Sequence, residues 1–477
     1  MKNIILLIVC MLVLALSGSA QNDSNGEWVS IGLKRHITHP QPMTGMNLWP
    51  YKAKKLHDTY GQSIQLEFYY FEPCKIVKGC NADGSIIYDW TYFEQIISDV
   101  ASRGHQLVAR FRYEYPNSTS VDGNVGTTAV PDYIKQLPDY EETYSESKGT
   151  YYADWSNAEL QRFTLLFYTD FAKRYAHDPR LAFLEVGFGH WSEYHIHPTP
   201  MEYGKNFPSL EYQKEFLLRM SEVSDGLPWL VSKNAGDTSP IAGDDELLSL
   251  RFGLFEDSFM GEYFINGGYE QRWGSLGGDT RWHTGVYGGE IYPQEGTTFL
   301  SPEGRYGYTF EEMLLKYHIT FMGGNAAPDG QYGTPERIRE VSMLMGYRFV
   351  VKECLTDGHT TRLLVSNEGI APIYRDAFFA IGGVRSATSL KGLLPNEDVW
   401  MEIAAAPASD GADINIVSDH ILPQQEIEFE ADIHVASHIT PVAVSDSKTE
   451  AVYNIAGQQL TEPTGGICIV GGKKVVR

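Results

Sequence analysis

From about residue 43 to residue 350 the chain alternates helix-period segments with short apolar segments that look like strands. Helices between successive strands force the strands to run parallel. Eight candidate strands fall in this region: Met46 to Trp49, Ile64 to Tyr70, Leu107 to Tyr113, Ala182 to Phe188, Trp229 to Lys233, Arg251 to Phe255, Gly285 to Gly288 and Ile319 to Met322. Thr91 to Glu94 has the pattern of a capping box, with Phe93, Ile96, Ile97 and Val100 at helical spacing behind it. Ser156 or Asn157 caps a helix over roughly 158–176, and another helix is expected from about Leu210 to Val223. The capping box Thr309 to Glu312 precedes the eighth strand, and a last helix after Thr334-Pro335 stops at Gly346. Eight such units imply an α/β fold, a closed (β/α)8 barrel rather than an open sheet. No glycine-rich phosphate motif is present, which argues against a nucleotide-binding doubly wound sheet.

After about residue 355 short alternating strands (Thr361 to Val365, Ala377 to Ile381, Val399 to Ile403, Glu426 to Glu430) follow one another without helices. That pattern predicts a small all-β sandwich. The expected organisation is a signal peptide over 1–20, a barrel and catalytic domain over 21–355, a β-sandwich over 356–437 and a tail over 438–477. Lys2, the apolar run Ile4 to Leu16 and the small residues Ser17 to Ala20 form a secretory signal. The expected location is therefore outside the inner membrane, secreted or at the cell surface, with no membrane span. Cys74 and Cys80 are close enough in sequence to form a disulfide in such a compartment, whereas Cys354 and Cys468 cannot be paired from sequence. A net charge of -23 excludes nucleic acid as a partner and disfavours polyanions.

In a barrel of this kind the working groups sit at the ends of strands or in the loops after them. Glu193 follows the fourth strand and Glu290 the seventh, 97 positions later, which corresponds to three βα units. Paired carboxylates in a sugar-sized cleft suffice to hydrolyse a glycosidic bond. The aromatic surroundings of Glu193 (Trp191, Tyr194) are expected to raise its pKa and suit it to donate a proton. Glu290 follows two glycines that expose its side chain, and it serves as nucleophile if the carboxyls lie about 5 to 5.5 Å apart. Arg110 and Arg112 share one face of strand three and can orient a carboxylate, while Asp257 is a sugar ligand or an alternative base. Trp49, Tyr113, His190, Trp191, Asn234, Trp282 and Asn325 are candidate substrate contacts near strand ends. The stretch 114–155 looks like a long loop inserted at the same end. His190, His195 and His197 invite a metal reading, but no distant partner set completes it, so neither metal nor cofactor is expected.

An ordered set of segments resembles a bacterial family of unknown function within the glycoside-hydrolase TIM-barrel superfamily. These are Gly189-His190-Trp191-Ser192-Glu193-Tyr194-His195, Arg251-Phe252-Gly253 with Asp257, Gly288-Gly289-Glu290, Met345 to Phe349 and Asn367 to Pro372. Ser192 stands where the family usually has Gly, and Tyr194 where it has Trp. The resemblance implies acid/base chemistry after strand four and a nucleophile after strand seven. Val452 to Val476 is similar to the C-terminal sorting tails of secreted Bacteroidetes proteins, which implies contact with a secretion machinery. The expected function is a secreted retaining glycoside hydrolase acting on a carbohydrate. Its rivals are a catalytically silent carbohydrate-binding protein on the same scaffold and a metal-dependent hydrolase.

Overall fold

A computed structural model describes residues 27–116, 126–323 and 331–435, with four short strands beyond them. The expected signal peptide and Asn325 lie outside the described residues. The chain divides at His434/Val435 into two compact units.

The first unit contains a closed barrel of eight parallel strands. We number them β1 (Gly45–Leu48), β2 (Leu66–Phe71), β3 (Gln106–Phe111), β4 (Leu181–Val186), β5 (Trp229–Ser232), β6 (Gly253–Phe259), β7 (Tyr287–Ile291) and β8 (Phe321–Gly323). All eight segments expected from sequence form barrel strands, in chain order around the ring, and β8 closes on β1. The alternation of side chains along a strand explains why each is almost wholly buried. On β3, Leu107, Ala109 and Phe111 pack into the apolar layer beneath the helices, whereas Val108 joins an inner cluster. On β4, Leu184 and Val186 face the helix layer, and Phe183 stacks on Phe321 of β8 at 5.1 Å between ring centres. Gly288 of β7 gives this pair its room, because a Cβ there would lie 2.3 Å from the Phe321 ring.

The helices follow local signals. Asn157 and Ser209 cap the helices Ala158–Tyr175 and Leu210–Val223 through their side-chain oxygens. Thr309 and Glu312 form a complete capping box. Thr91 does not act as expected: the helix Thr91–Ser102 already includes it, and Asp89 accepts its backbone N–H instead. Glu94 turns outward to Arg174 and Arg180.

Beyond the barrel lies a six-stranded sheet built around the hairpin Phe349–Thr356/Thr361–Asn367, with Asp398–Ile403 and Glu430–Ile433 at its sides. Val29–Ser30 and Leu33–Arg35, from the start of the described chain, also pair here. The strand expected over Glu426 to Glu430 begins only at Glu430. A three-stranded sheet (Val384–Arg385, Phe378–Ile381, Ile414–Val417) accompanies it. The core of these sheets is continuous with the inner cluster of the barrel through Tyr347 and Phe349. Cys74, Cys80 and Cys354 are free thiols, so Cys74 and Cys80 are not bridged. Burial pushes the Cys74 thiol up to about 12, helped by Glu72 beside it.

The second unit carries a four-stranded antiparallel sheet in the order Gln459–Leu460, Val452–Asn454, Ile467–Val470, Lys473–Val476. Among the described residues no helix is long and apolar enough to cross a membrane.

Candidate active site

A cavity of about 840 Å³ opens where the barrel strands end. Glu193, from the loop after β4, and Glu290, the fourth residue of β7, both line it. Trp49 after β1, Trp191 after β4, Asn234 after β5 and Asp257 within β6 line it as well.

The loop carrying Glu193 is folded tightly on itself. The Glu193 carbonyl accepts the backbone N–H groups of Phe188 and Gly189 at 3.3 and 2.8 Å, and the Glu193 N–H returns to the His190 carbonyl at 2.9 Å. The turn requires left-handed backbone at Trp191 (φ 54°) and Ser192 (φ 62°), which is costly for any side chain. That geometry gives a physical reason for the Gly that the resembled family carries at the Ser192 position. The Ser192 hydroxyl offsets part of the strain by donating to the Gly187 carbonyl at 3.0 Å.

Beneath the cavity, Arg110 fills the barrel interior, fully buried. Its Nε donates to Glu185 at 2.6 Å, its two terminal nitrogens to Asp257 at 2.5 and 3.1 Å, and one of these also to the Tyr70 hydroxyl (3.0 Å) and the Trp191 carbonyl (3.2 Å). One guanidinium therefore serves two carboxylates. Burial, only partly countered by Arg110, raises Asp257 and carries Glu185 up to about 7. Lys233, directly after β5, pairs with buried Glu256 and lies 3.9 Å above the Tyr269 ring. Burial raises Glu256 even so.

Glu193 behaves differently from the sequence expectation. Burial does push its carboxyl up, but His195, Lys233 and Arg110 together outweigh burial and hold it below the ordinary carboxylate range. His195 Nε2 stands 3.5 Å from Glu193 Oε1. The His197 backbone N–H donates to His195 Nδ1 at 3.2 Å, so the ring proton sits on Nε2 and faces Glu193. The aromatic neighbours were visible in sequence; the cationic ones arrive from β3 and β5. Glu290 is buried rather than exposed, with its Cγ and the Asn47 Oδ1 crowding the space above Gly323. Both Glu290 and Asp257 keep the Tyr70 phenol protonated, after burial as the main cause.

The other predicted residues separate. Arg112 leaves the interior to pair with Glu72 at 2.7 Å, its guanidinium 4.7 Å from the Tyr115 ring. Tyr113 turns to the helix layer, where its hydroxyl meets Thr164 at 2.8 Å. His190 is fully buried against Tyr152, and burial followed by His195 lowers it to about 3. Trp282 precedes β7 and stacks on His318 at 3.6 Å, away from the cavity. Among the described residues no group of three or more His, Cys, Asp or Glu side chains is placed to hold a metal ion. Sequence reasoning missed Tyr70, Tyr115 and Lys233, which line the cavity, and Glu185 and Glu256 beneath it. Lys233 and Glu185 had a signal: each is a charge in or at the end of an otherwise apolar strand.

No family model matches the chain, and no curated protein matches it. Among solved structures it is similar to endo-glycoceramidase II from Rhodococcus sp. in complex with a cellobiose-like imidazole, at 10% identity and TM-score 0.38, covering 80% of this chain and 98% of that one. A family 20 glycoside hydrolase, a β-N-acetylglucosaminidase, is similar at 12% identity and TM-score 0.33, over 63% of this chain and 69% of that one. D-psicose 3-epimerase from Clostridium cellulolyticum H10 is similar at 13% identity and TM-score 0.30, over 62% and 91%. Glycoside hydrolases thus stand among the structural neighbours, while the (β/α)8 barrel rests on the strand pairing itself.

Proposed function

We propose that this chain is a glycoside hydrolase that cleaves a poly- or oligosaccharide with retention, Glu290 acting as nucleophile and Glu193 as acid/base. One observation carries the reading: Glu193 and Glu290 come from β4 and β7 to line a single aromatic-rimmed cavity at the strand ends. In such chemistry Glu290 attacks the anomeric carbon while Glu193 protonates the departing oxygen. Water, deprotonated by Glu193, then releases the sugar from Glu290. Glu193 rests ionised beside His195, so it must take up its proton as substrate binds. A sugar that expels water from the cavity deepens the burial of Glu193, the same effect that already pushes its carboxyl up. Trp49 and Trp191 offer ring faces for stacking, and Asn234 and Asp257 offer hydroxyl partners.

The resting state of Glu193 also favours a second reading, a carbohydrate-binding protein on a barrel scaffold, because a site without a standing proton donor binds without cleaving. A panel of aryl glycosides and polysaccharides separates the two. Glu193→Gln should slow substrates with poor leaving groups by about 10² to 10⁴-fold and spare activated aryl glycosides, since that is what positioned acid catalysis supplies. Glu290→Gln should disable both. Oligosaccharide binding without turnover by the wild-type protein establishes the binding protein instead.

The proposal includes export by the segment 1–20, a catalytic domain over 21–355 that contains the barrel and lends Val29–Ser30, Leu33–Arg35 and Phe349–Thr356 to the six-stranded sheet, a β-sandwich over 356–437 and a sorting tail over 438–477. Deleting the tail should leave turnover intact and stop surface display.

A further inference from the structure

Among the described residues seven tyrosines are exposed, and all seven lie on the loops, or the first helical turns, that follow barrel strands. The same segments expose only two large aliphatic side chains, Ile87 and Leu210. On the helix backs and the two sheets beyond the barrel the exposed large apolar groups are Val29, Leu315, Leu344, Val384 and Trp400, none of them tyrosine. The rings are therefore gathered on the face that holds the cavity.

Several are held in place. Tyr144 and Tyr151 face each other across the hairpin Thr143–Ser145/Thr150–Tyr152, ring centres 4.8 Å apart. The other side of that hairpin is bonded to Thr199, a cavity residue, through Ser145 (3.1 Å) and Tyr152 (2.7 Å). Tyr203 donates to the carbonyl of Thr238, which also lines the cavity, at 3.3 Å. After β7, Tyr306 is forced into left-handed backbone (φ 51°), and its hydroxyl donates to buried Glu295 at 2.9 Å. Arg305 holds the other oxygen of Glu295 at 2.7 Å. Strain of this kind persists only where the surroundings over-determine it, and it concentrates at ligand contacts. Tyr308 stands two residues on, and Tyr51 opens the helix after β1 within electrostatic reach of Tyr115 in the cavity.

We infer that the strand-end face is an extended track for a long, uncharged saccharide chain, so that the substrate is a polymer and cleavage is internal. Internal cleavage rests on the two-carboxylate reading above; the track does not. A tyrosine offers a flat apolar face and a hydroxyl at its edge, which fits the alternating CH faces and hydroxyls of a sugar chain. The hairpin follows β3 and the Tyr306–Tyr308 loop follows β7, strands that stand opposite each other in an eight-membered ring. A chain running from one to the other passes over the cavity. A net charge of -23 repels a polyanionic chain. Rings outside the cavity add nothing to the binding of a mono- or disaccharide.

The test is affinity electrophoresis of the full chain in native gels cast with hydroxyethylcellulose, arabinoxylan, galactomannan, laminarin or starch. Turnover of p-nitrophenyl glycosides is measured in parallel. At least one polymer should retard the protein. The Tyr144→Ala/Tyr151→Ala pair and Tyr308→Ala should each weaken that retardation, the pair by roughly tenfold in affinity if each ring contributes as an aromatic contact does. Turnover of the short aryl glycoside should stay unchanged. The track is refuted if no polymer retards the wild-type protein, or if the variants are retarded equally. Aryl-glycoside turnover without polymer binding removes the track and leaves the two-carboxylate reading. Tyrosine-dependent binding without any turnover keeps the track and removes that reading.

Discussion

Replacing Glu185 by Gln should stabilise the protein at pH 8 and change little at pH 4.5. Glu185 and Asp257 share the single guanidinium of Arg110 inside the barrel, and one oxygen of Glu185 is buried without a hydrogen-bond partner. Burial carries the Glu185 carboxyl from about 4.5 up to about 7, Arg110 notwithstanding. The sign follows from comparing the two states. Below pH 4.5 the carboxyl is protonated whether the chain is folded or not, and it costs nothing. Between 4.5 and 7 the unfolded chain releases the proton and the folded one keeps it, so stability falls as pH rises and then levels off. A tenfold displacement of a protonation equilibrium is worth about 1.4 kcal/mol, so the full loss is about 3 kcal/mol. Gln keeps the shape, cannot ionise and escapes that loss. Asp257 remains to neutralise Arg110. Urea unfolding followed by tryptophan fluorescence at pH 4.5, 6, 7 and 8 measures the difference. Wild-type protein and Glu185→Gln should match at pH 4.5 and diverge by up to about 3 kcal/mol in favour of Gln at pH 8. If Gln is the less stable protein at pH 8, Arg110 holds Glu185 ionised, and the reasoning that burial outweighs Arg110 at Glu185 is wrong.

A Cβ at Gly323 would lie 2.9 Å from Glu290 Cγ and 3.2 Å from Asn47 Oδ1, so Gly323→Ala should displace Glu290. Turnover should fall more than about tenfold while the unfolding free energy drops by roughly 1 to 3 kcal/mol, an overpacking cost; unchanged turnover would show that Glu290 is not poised for chemistry. Ser192→Gly exchanges relief of left-handed strain for the lost bond to the Gly187 carbonyl, each about 1 kcal/mol, and should be nearly neutral in denaturation. Ser192→Val keeps the strain, loses the bond and should unfold at clearly lower urea. Dialysis against EDTA should leave glycosidase turnover unchanged, and a zinc-reversible loss would bring the His190, His195 and His197 cluster back as a metal centre.

The barrel was legible because it is a local pattern repeated. Each strand is a short apolar run, several helices carry their own caps, and Asn157 and Thr309 act as their positions predict. The position of the carboxylates was legible for the same reason, since strand ends are visible in sequence. What surrounds them was not. The groups that depress Glu193 come from β3, β5 and its own loop, and only closure of the ring brings Arg110 and Lys233 near it. Trp282 and Tyr113 stand near strand ends in sequence, yet one lies before its strand and the other turns outward, a distinction of direction rather than position. The pairing of Leu33–Arg35 with Glu430–Ile433 spans almost the whole described chain and has no local signal.

The stereochemistry of the first product tests the two-carboxylate mechanism most directly. Proton NMR, recorded within the first minutes of hydrolysis of whichever glycoside on the panel is turned over, reads the anomer before mutarotation. Retention of the substrate's anomeric configuration, lost together with turnover in Glu290→Gln, is the predicted result. An inverted product would mean that water attacks directly and that the carboxyls stand about 6.5 to 9.5 Å apart. Full turnover by Glu290→Gln would contradict the assignment of Glu290 altogether.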